Sequence, residues 1–357
     1  MTLPSAAAPP ESDAVLTTRR AESDAVYLAL GTGVAGGVYG FLVATISPSL
    51  ALAGEHPFAL LAALGTAIVT AAASGLAYWR ARAREGQQWR RDLPRWQYAV
   101  NTLSVVIVHT VLGFLSCYAL YRVLALGFIG LSVIVFWSVV LMAVTLGLAV
   151  YISYLSAARM STQRMSALLL AFIAIGVLTS MVTSPDPQWW LVHFSRLGTF
   201  DAPSSQIFNG TLIAAGLLVT TFAVYVAHDM TDLVGRGVLA NPRAPGFVST
   251  MFVIMGVMLA GVGIFTFDAN FILHNVSASG MAAMYLVLLI TGPRMLRGMP
   301  RSYFVSSWAY LAATLTSVVL FAVGYFSLTA FEIIVFAVVF GWIAVFIRFL
   351  GVAGAPR

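Results

Sequence analysis

The sequence predicts an all-α integral membrane protein of about ten transmembrane helices with both termini in the cytoplasm. Three observations predict it. Of the 357 residues 60% are hydrophobic and only 9% are charged, against about 25% charged in a soluble domain. So little charge cannot cover a water-facing surface, and most of the exterior must face lipid. Apolar runs recur along the chain, each near the roughly 20 residues that one bilayer crossing needs. Finally, all 19 basic residues are arginines, and with the N-terminus inside only Arg122 and Arg196 fall on the outer side. That separation satisfies the positive-inside rule, and one helix more or fewer midway would destroy it.

The elements follow in order. Residues 1–24 are polar and rich in Ala, Pro and Ser, which reads as a disordered cytoplasmic tail. Arg19-Arg20 is followed by Ala21-Glu22-Ser23-Asp24, a poor fit to a twin-arginine signal. The apolar run Ala25–Ser47 exceeds the typical 7–15 residues of a signal-peptide core, so it reads as a retained helix despite Ala51-Leu52-Ala53 behind it. The spans Pro57–Tyr78, Tyr98–Tyr121 and Phe128–Tyr154 complete a four-helix N-terminal region over residues 25–155. A six-helix domain occupies residues 165–350, with spans Met165–Val182, Gln206–Ala227, Gly246–Phe267, Ile272–Gly292, Tyr303–Phe326 and Thr329–Leu350. Gly33, Gly36, Gly37 and Gly40 give the first helix small-xxx-small spacing, the pattern of close helix contact in membranes. Alternating strands of a β-barrel are absent from the pattern, leaving helices as the way to satisfy the backbone in lipid.

Polar residues gather in two places on the expected outer side. The first is the long loop over residues 183–205, with Trp189 and Trp190 suited to the headgroup level. It carries His193, Ser195, Arg196 and Asp201, and Asn209 follows on the next helix. Asp201-Ala-Pro-Ser-Ser205 reads as a helix start, with Pro in the first turn and serines as caps. The second cluster holds Asp268, Asn270, His274 and Ser277. A helix beginning near Asp268 would put Asn270, His274, Ser277 and Met281 on one face, with Asp268 as its cap. Together the clusters would form one outward polar pocket. Within the membrane, His109 sits mid-helix and Glu332 lies near the outer end of the last helix. Ionisable groups at such depth are costly and often functional, although a neutral histidine bonded to a neighbouring helix is the commoner case.

Three chemistries compete for the outer pocket. His193, His274, Asp201 and Asp268 would serve as acid, base or metal ligands, but no HxxxH or HExxH spacing supports a metal, and none is expected. Arg196 would hold an anionic headgroup through its guanidinium fork. Or the polar groups would only cap helices and tie loops together. Asn101, Ser104 and Ser116 beside His109 suggest a polar path and hence a transporter. The arginine-rich loop from Trp79 to Gln97 reads as the topology determinant and would attract anionic lipid.

Some classes are excluded. The single Cys117 rules out an intramolecular disulfide and a cysteine-based zinc cluster. The chain has no P-loop and no Gly-rich turn after a strand, which argues against an ATP-driven pump acting alone. No cofactor is expected. Membrane lipids are the expected partners; nucleic acid is not, because the arginines are not spread over a soluble face.

Ser195-Arg-Leu-Gly198, Ile207-Phe-Asn-Gly210, Phe267, His274 and Gly280 carry a family resemblance. Over residues 165–350 the chain resembles the bacterial multi-pass family catalogued as domain of unknown function 998, which is similar to DRAM-like and Frag-like membrane proteins. The resemblance implies a six-helix bundle with the Ser-x-Leu-Gly loop outside, in a bacterial plasma membrane. It transfers no catalytic residues, and the Frag-like link to lipid-anchor remodelling tilts the expectation toward lipid. The leading expectation is therefore a lipid-associated or lipid-handling protein with an outward polar pocket. The alternatives are a secondary transporter near the third helix and a membrane-embedded hydrolase or acyltransferase.

Overall fold

A computed structural model describes residues 13–47, 50–52, 58–84 and 86–354, with side chains from Arg19 onward. Among the described residues there are ten α-helices, all long and apolar enough to cross a membrane. This is a multi-pass integral membrane protein. The chain divides into two compact units, Met1–Arg159 and Met160–Arg357.

The first unit contains α1 (Asp13–Ile46), α2 (Phe58–Ala81), α3 (Arg95–Gly127) and α4 (Val135–Ala158). Helix α1 lies along α4, and α2 packs against both α3 and α4. Two short strands, β1 (Leu50–Ala51) and β2 (Ser132–Val133), pair antiparallel between the helices. Phe58 and Tyr121 meet edge to face at 5.2 Å beside this ribbon, with Leu50, Val133 and Met142 buried around them. Helix α4 starts seven residues later than Phe128, because Gly130 turns the chain at φ 77° and β2 follows.

The expected disordered tail is corrected from Asp13 onward, where α1 already begins; residues 1–12 lie outside the described residues. The polar side chains there have partners rather than solvent alone. Tyr154 donates to Asp24 at 2.9 Å, Arg80 and Arg84 lie 3.6 and 3.8 Å from the same carboxylate, and Arg159 meets Glu22 at 2.6 Å.

Small residues bring α1 and α4 together, as their spacing in the sequence anticipates. A Cβ on Gly36 would stand 2.8 Å from the Met142 carbonyl oxygen, and one on Gly40 would strike that of Ser138. Ser138 in turn donates to the Gly40 carbonyl at 2.7 Å. Backbones this close gain contact that lipid-facing leucines could not supply.

The second unit contains α5 (Thr162–Thr183), α6 (Pro203–Gly235), α7 (Ala244–Ile264), α8 (Phe271–Met295), α9 (Arg301–Ala322) and α10 (Leu328–Gly354). Its centre is aromatic. Phe252 of α7 touches Phe222 of α6 at 5.2 Å and Phe346 of α10 at 5.9 Å, while Trp342 meets Tyr285 of α8 at 5.6 Å. The Trp342 indole donates to Ser307 of α9 at 3.3 Å, so its polar edge is also satisfied. Glu332 lies ten residues before Trp342, about 15 Å along α10 at 1.5 Å per residue. That places the loop end of the unit well clear of its aromatic centre.

The glycine contact gives a test. Gly36→Val forces α1 off α4, and the variant is expected to lose about 1–3 kcal/mol of stability by overpacking. Thermal unfolding in detergent measures it, with exposed Gly31, which has open space at its Cβ, as the tolerant control.

Candidate functional site

The site is built on a turn held from below. Between α5 and α6 the chain forms two 3-10 turns, Trp189–Leu191 and Phe194–Gly198. His193 is extended, and its carbonyl accepts from the Arg196 N–H at 3.0 Å to close the second turn. The Phe194 N–H donates to Glu332 Oε2 of α10 at 2.6 Å. The Phe194 ring is wedged between Phe208 of α6 at 5.2 Å and Phe336 of α10 at 5.9 Å. At the far end of the turn, Asn209 donates to the Gly198 carbonyl at 2.8 Å. A Cβ on Gly198 would strike the Asn209 amide, so this position needs glycine. Ser205 accepts from the Phe200 N–H at 3.0 Å and donates to the Leu197 carbonyl at 2.7 Å.

The turn points Ser195 at α8. Ser195 Oγ lies 3.0 Å from His274 Nε2, and His274 Nδ1 lies 2.8 Å from the Phe265 carbonyl. A carbonyl can only accept, so Nδ1 carries the imidazole proton. In the neutral ring Nε2 is then the acceptor, and the Ser195 hydroxyl donates to it. The result is a hydroxyl, a base and an acceptor that fixes the base's tautomer, the arrangement that activates a nucleophile. Ser195 is 9% exposed and His274 is 4% exposed.

His193 joins the cluster through Phe267. Its ring lies 4.3 Å from the Phe267 ring, which also contacts His274 at 5.8 Å. His193 Nδ1 is buried and makes no hydrogen bond among the described residues. Burial pushes the His193 pKa below its ordinary value; the nearby His274 and Arg196 act in the same direction, and Asp268 opposes them. Arg196 donates to Thr199 Oγ1 at 3.0 Å, lies 3.7 Å from Asp268 Oδ2, and stacks over Phe200 at 4.7 Å. About a third of its side chain stays exposed, so the ion pair itself contributes at most about 1 kcal/mol.

The structure therefore joins His193, Ser195, Arg196, Asp268 and His274, with Asn209 bracing the turn. Other expected members stand apart. Asp201 is exposed, and α6 begins with Ala202 and Pro203 without a side-chain cap. The serine-cap expectation is corrected: Ser205 serves the loop backbone instead. Asp268 does not cap α8; Asn270 does, accepting from the Leu273 N–H at 3.0 Å, because the helix starts at Phe271. Asn270 is therefore exposed and leaves the face that His274, Ser277 and Met281 share. Ser277 packs where a Cβ on Gly261 of α7 would meet it. Trp189 is buried against Phe194, and only Trp190 is exposed at the surface.

In the first unit, His109 is buried with both ring nitrogens occupied. Nδ1 lies 2.7 Å from the Val105 carbonyl and Nε2 lies 2.9 Å from Ser156 Oγ of α4. A neutral histidine tying α3 to α4 accounts for both bonds. A cavity of about 360 Å³ between α2, α3 and α4 is lined by Ser116 but not by His109, Asn101 or Ser104. Among the described residues no group of three His, Cys, Asp or Glu side chains is placed to hold a metal.

Sequence reasoning singled out Glu332 but not its bond to the Phe194 N–H, and it missed the Phe265 carbonyl. Glu332 lies 138 residues from Phe194, and the Phe265 carbonyl is backbone, which no side-chain pattern reports. The chain matches no family model, no curated protein and no solved structure.

The direction of the His193 shift sets a pH dependence. With its folded pKa lowered, the unfolded chain takes up the proton first as pH falls through about 6.5. Stability is then lost with falling pH, by up to about 1.4 kcal/mol per pH unit, until the folded ring also protonates. Melting temperatures from pH 8 to pH 5 are expected to fall more steeply for the parent protein than for His193→Gln.

Proposed function

We propose that this multi-pass protein acts on lipid esters at the outer face of a bacterial plasma membrane, with Ser195 as nucleophile and His274 as general base. The hydrogen bond between Ser195 and the tautomer-fixed His274 carries this reading. The arginine distribution favours the outer face for the loop end of the second unit; that the membrane is bacterial and the substrate a lipid is part of the proposal.

The chemistry balances with the groups present. Ser195 Oγ attacks the ester carbonyl while His274 Nε2 takes the hydroxyl proton. The tetrahedral adduct collapses, the ester C–O bond breaks, and His274 returns its proton to the leaving alkoxide. Water or a second lipid hydroxyl then attacks the acyl-serine while His274 Nε2 takes its proton; the acyl C–Oγ bond breaks and His274 returns the proton to Ser195 Oγ, restoring both groups. Arg196 offers a partly exposed guanidinium beside the pair for an anionic headgroup. His193, buried and biased toward its neutral form, keeps a second positive charge away from His274. The shared burial of Ser195 and His274 means that substrate must part the loop or slide in beside Phe267.

A fluorophosphonate probe tests the nucleophile directly. Ser195 is expected to be phosphonylated with loss of fluoride, labelling is expected to vanish in Ser195→Ala, and His274→Ala is expected to slow it at least about 100-fold. Melting curves of both variants run alongside. If the parent protein resists the probe and both variants merely melt earlier, the pair is a structural clasp and the enzymatic reading is wrong.

A further inference from the structure

The first unit contains a second site of different chemistry. A cavity of about 590 Å³ opens where α2 ends and α3 begins, within the roughly 300–1,000 Å³ typical of small-molecule sites. Its wall carries Arg80, Arg82, Arg90, Arg91 and Arg95 with Tyr98, and no carboxylate lines it among the described residues.

Two of these arginines, Arg82 and Arg90, lie over aromatic faces. The Arg82 guanidinium lies 5.2 Å from the Trp79 ring and 5.6 Å from that of Tyr98. Arg90 lies 4.5 Å from Tyr78, whose ring stacks on Tyr98 at 5.8 Å. A cation–π contact orients a guanidinium without cancelling its charge. Arg80 is the member with a carboxylate near it, Asp24 at 3.6 Å, which Arg84 shares. Among the described residues Arg82, Arg91 and Arg95 form no ion pair. Asp92 of the same loop is exposed and does not line the cavity. Several like charges converge on one concave space, a costly arrangement that an anion would relieve. Planar forks held in place match the oxygens of a phosphate, and less rotamer freedom remains to be lost on binding.

We propose that this cavity binds a phosphate-bearing anion, either a phosphorylated lipid headgroup or a free phosphate compound. The site is independent of Ser195 and His274. A topology-determining loop needs only arginines near the membrane; it does not need them gathered around a cavity.

The full-length protein, purified in detergent and stripped of lipid, is titrated with three probes. They are short-chain phosphatidylglycerol, short-chain phosphatidylcholine and inorganic pyrophosphate, with binding read by thermal shift and native mass spectrometry. Saturable binding of phosphatidylglycerol or pyrophosphate is expected, weakened at least tenfold in Arg82→Gln/Arg95→Gln and unchanged in Arg122→Gln. Phosphatidylglycerol alone identifies a lipid headgroup as the source; pyrophosphate binding identifies free phosphate compounds. Should the double variant fail to fold, exposed Arg91→Gln carries the same comparison. No binding of either anion, equal binding of phosphatidylcholine, or unchanged affinity in the variants overturns the proposal.

Discussion

Lipid supplies no hydrogen bonds, so each polar group within the spans must find its partner inside the protein. Hydroxyls on the helices meet this requirement locally. Thr70, Ser74, Thr110, Thr179, Thr291, Thr314 and Ser317 each donate to a carbonyl four residues earlier. Groups that cannot close onto their own helix reach across. Ser138 donates to the α1 backbone, Ser156 donates to Nε2 of the neutral His109, and Trp342 donates to Ser307. The bond from Ser138 coincides with the close approach of α1 and α4.

At the loop end of the second unit this rule has a chemical consequence. The turn of residues 194–198 cannot satisfy itself, so Glu332 takes the Phe194 N–H and Asn209 takes the Gly198 carbonyl. With both ends of the turn tied, Ser195 has one direction left, toward His274. The open carbonyl at the end of α7, Phe265, then fixes the imidazole tautomer. Ser195 and His274 are arranged by the needs of the backbone around them, and the arrangement is also that of a nucleophile and its base.

The architecture was readable in the sequence because membrane spans are written in composition: ten apolar runs became ten helices among the described residues, with boundaries shifted most at Asp13, Gly127, Val135 and Gly235. The first shift arose because Glu22 and Asp24 look like solvent-seeking residues until Arg80, Arg84 and Arg159 arrive from other helices. The site was half readable. His193, Ser195, Arg196 and His274 were all named as members of one outward polar pocket. Their pairing was not readable, since it depends on a 3-10 turn, a backbone carbonyl and a glutamate 138 residues away. Asp201 and Asn270 lie outside the cluster for different reasons: Asn270 caps α8, which starts at Phe271 rather than at Asp268, and Asp201 stands exposed before an α6 start that has no side-chain cap.

The two polar regions solve opposite electrostatic problems. In the second unit Arg196 has Asp268, and His193 is driven toward its neutral form, so charge near Ser195 is kept low. That suits the proposed role of His274, which must accept a proton from Ser195. In the first unit positive charge is concentrated around one cavity, where Arg82 lies over the Trp79 and Tyr98 rings and no carboxylate lines the wall among the described residues. That suits an anion, which gains most where cations are already in place and only partly hydrated. The contrast is not one of composition, because both regions mix arginine with aromatic residues. It lies in what stands beside the guanidinium: Asp268 at Arg196, and the Trp79 and Tyr98 rings at Arg82.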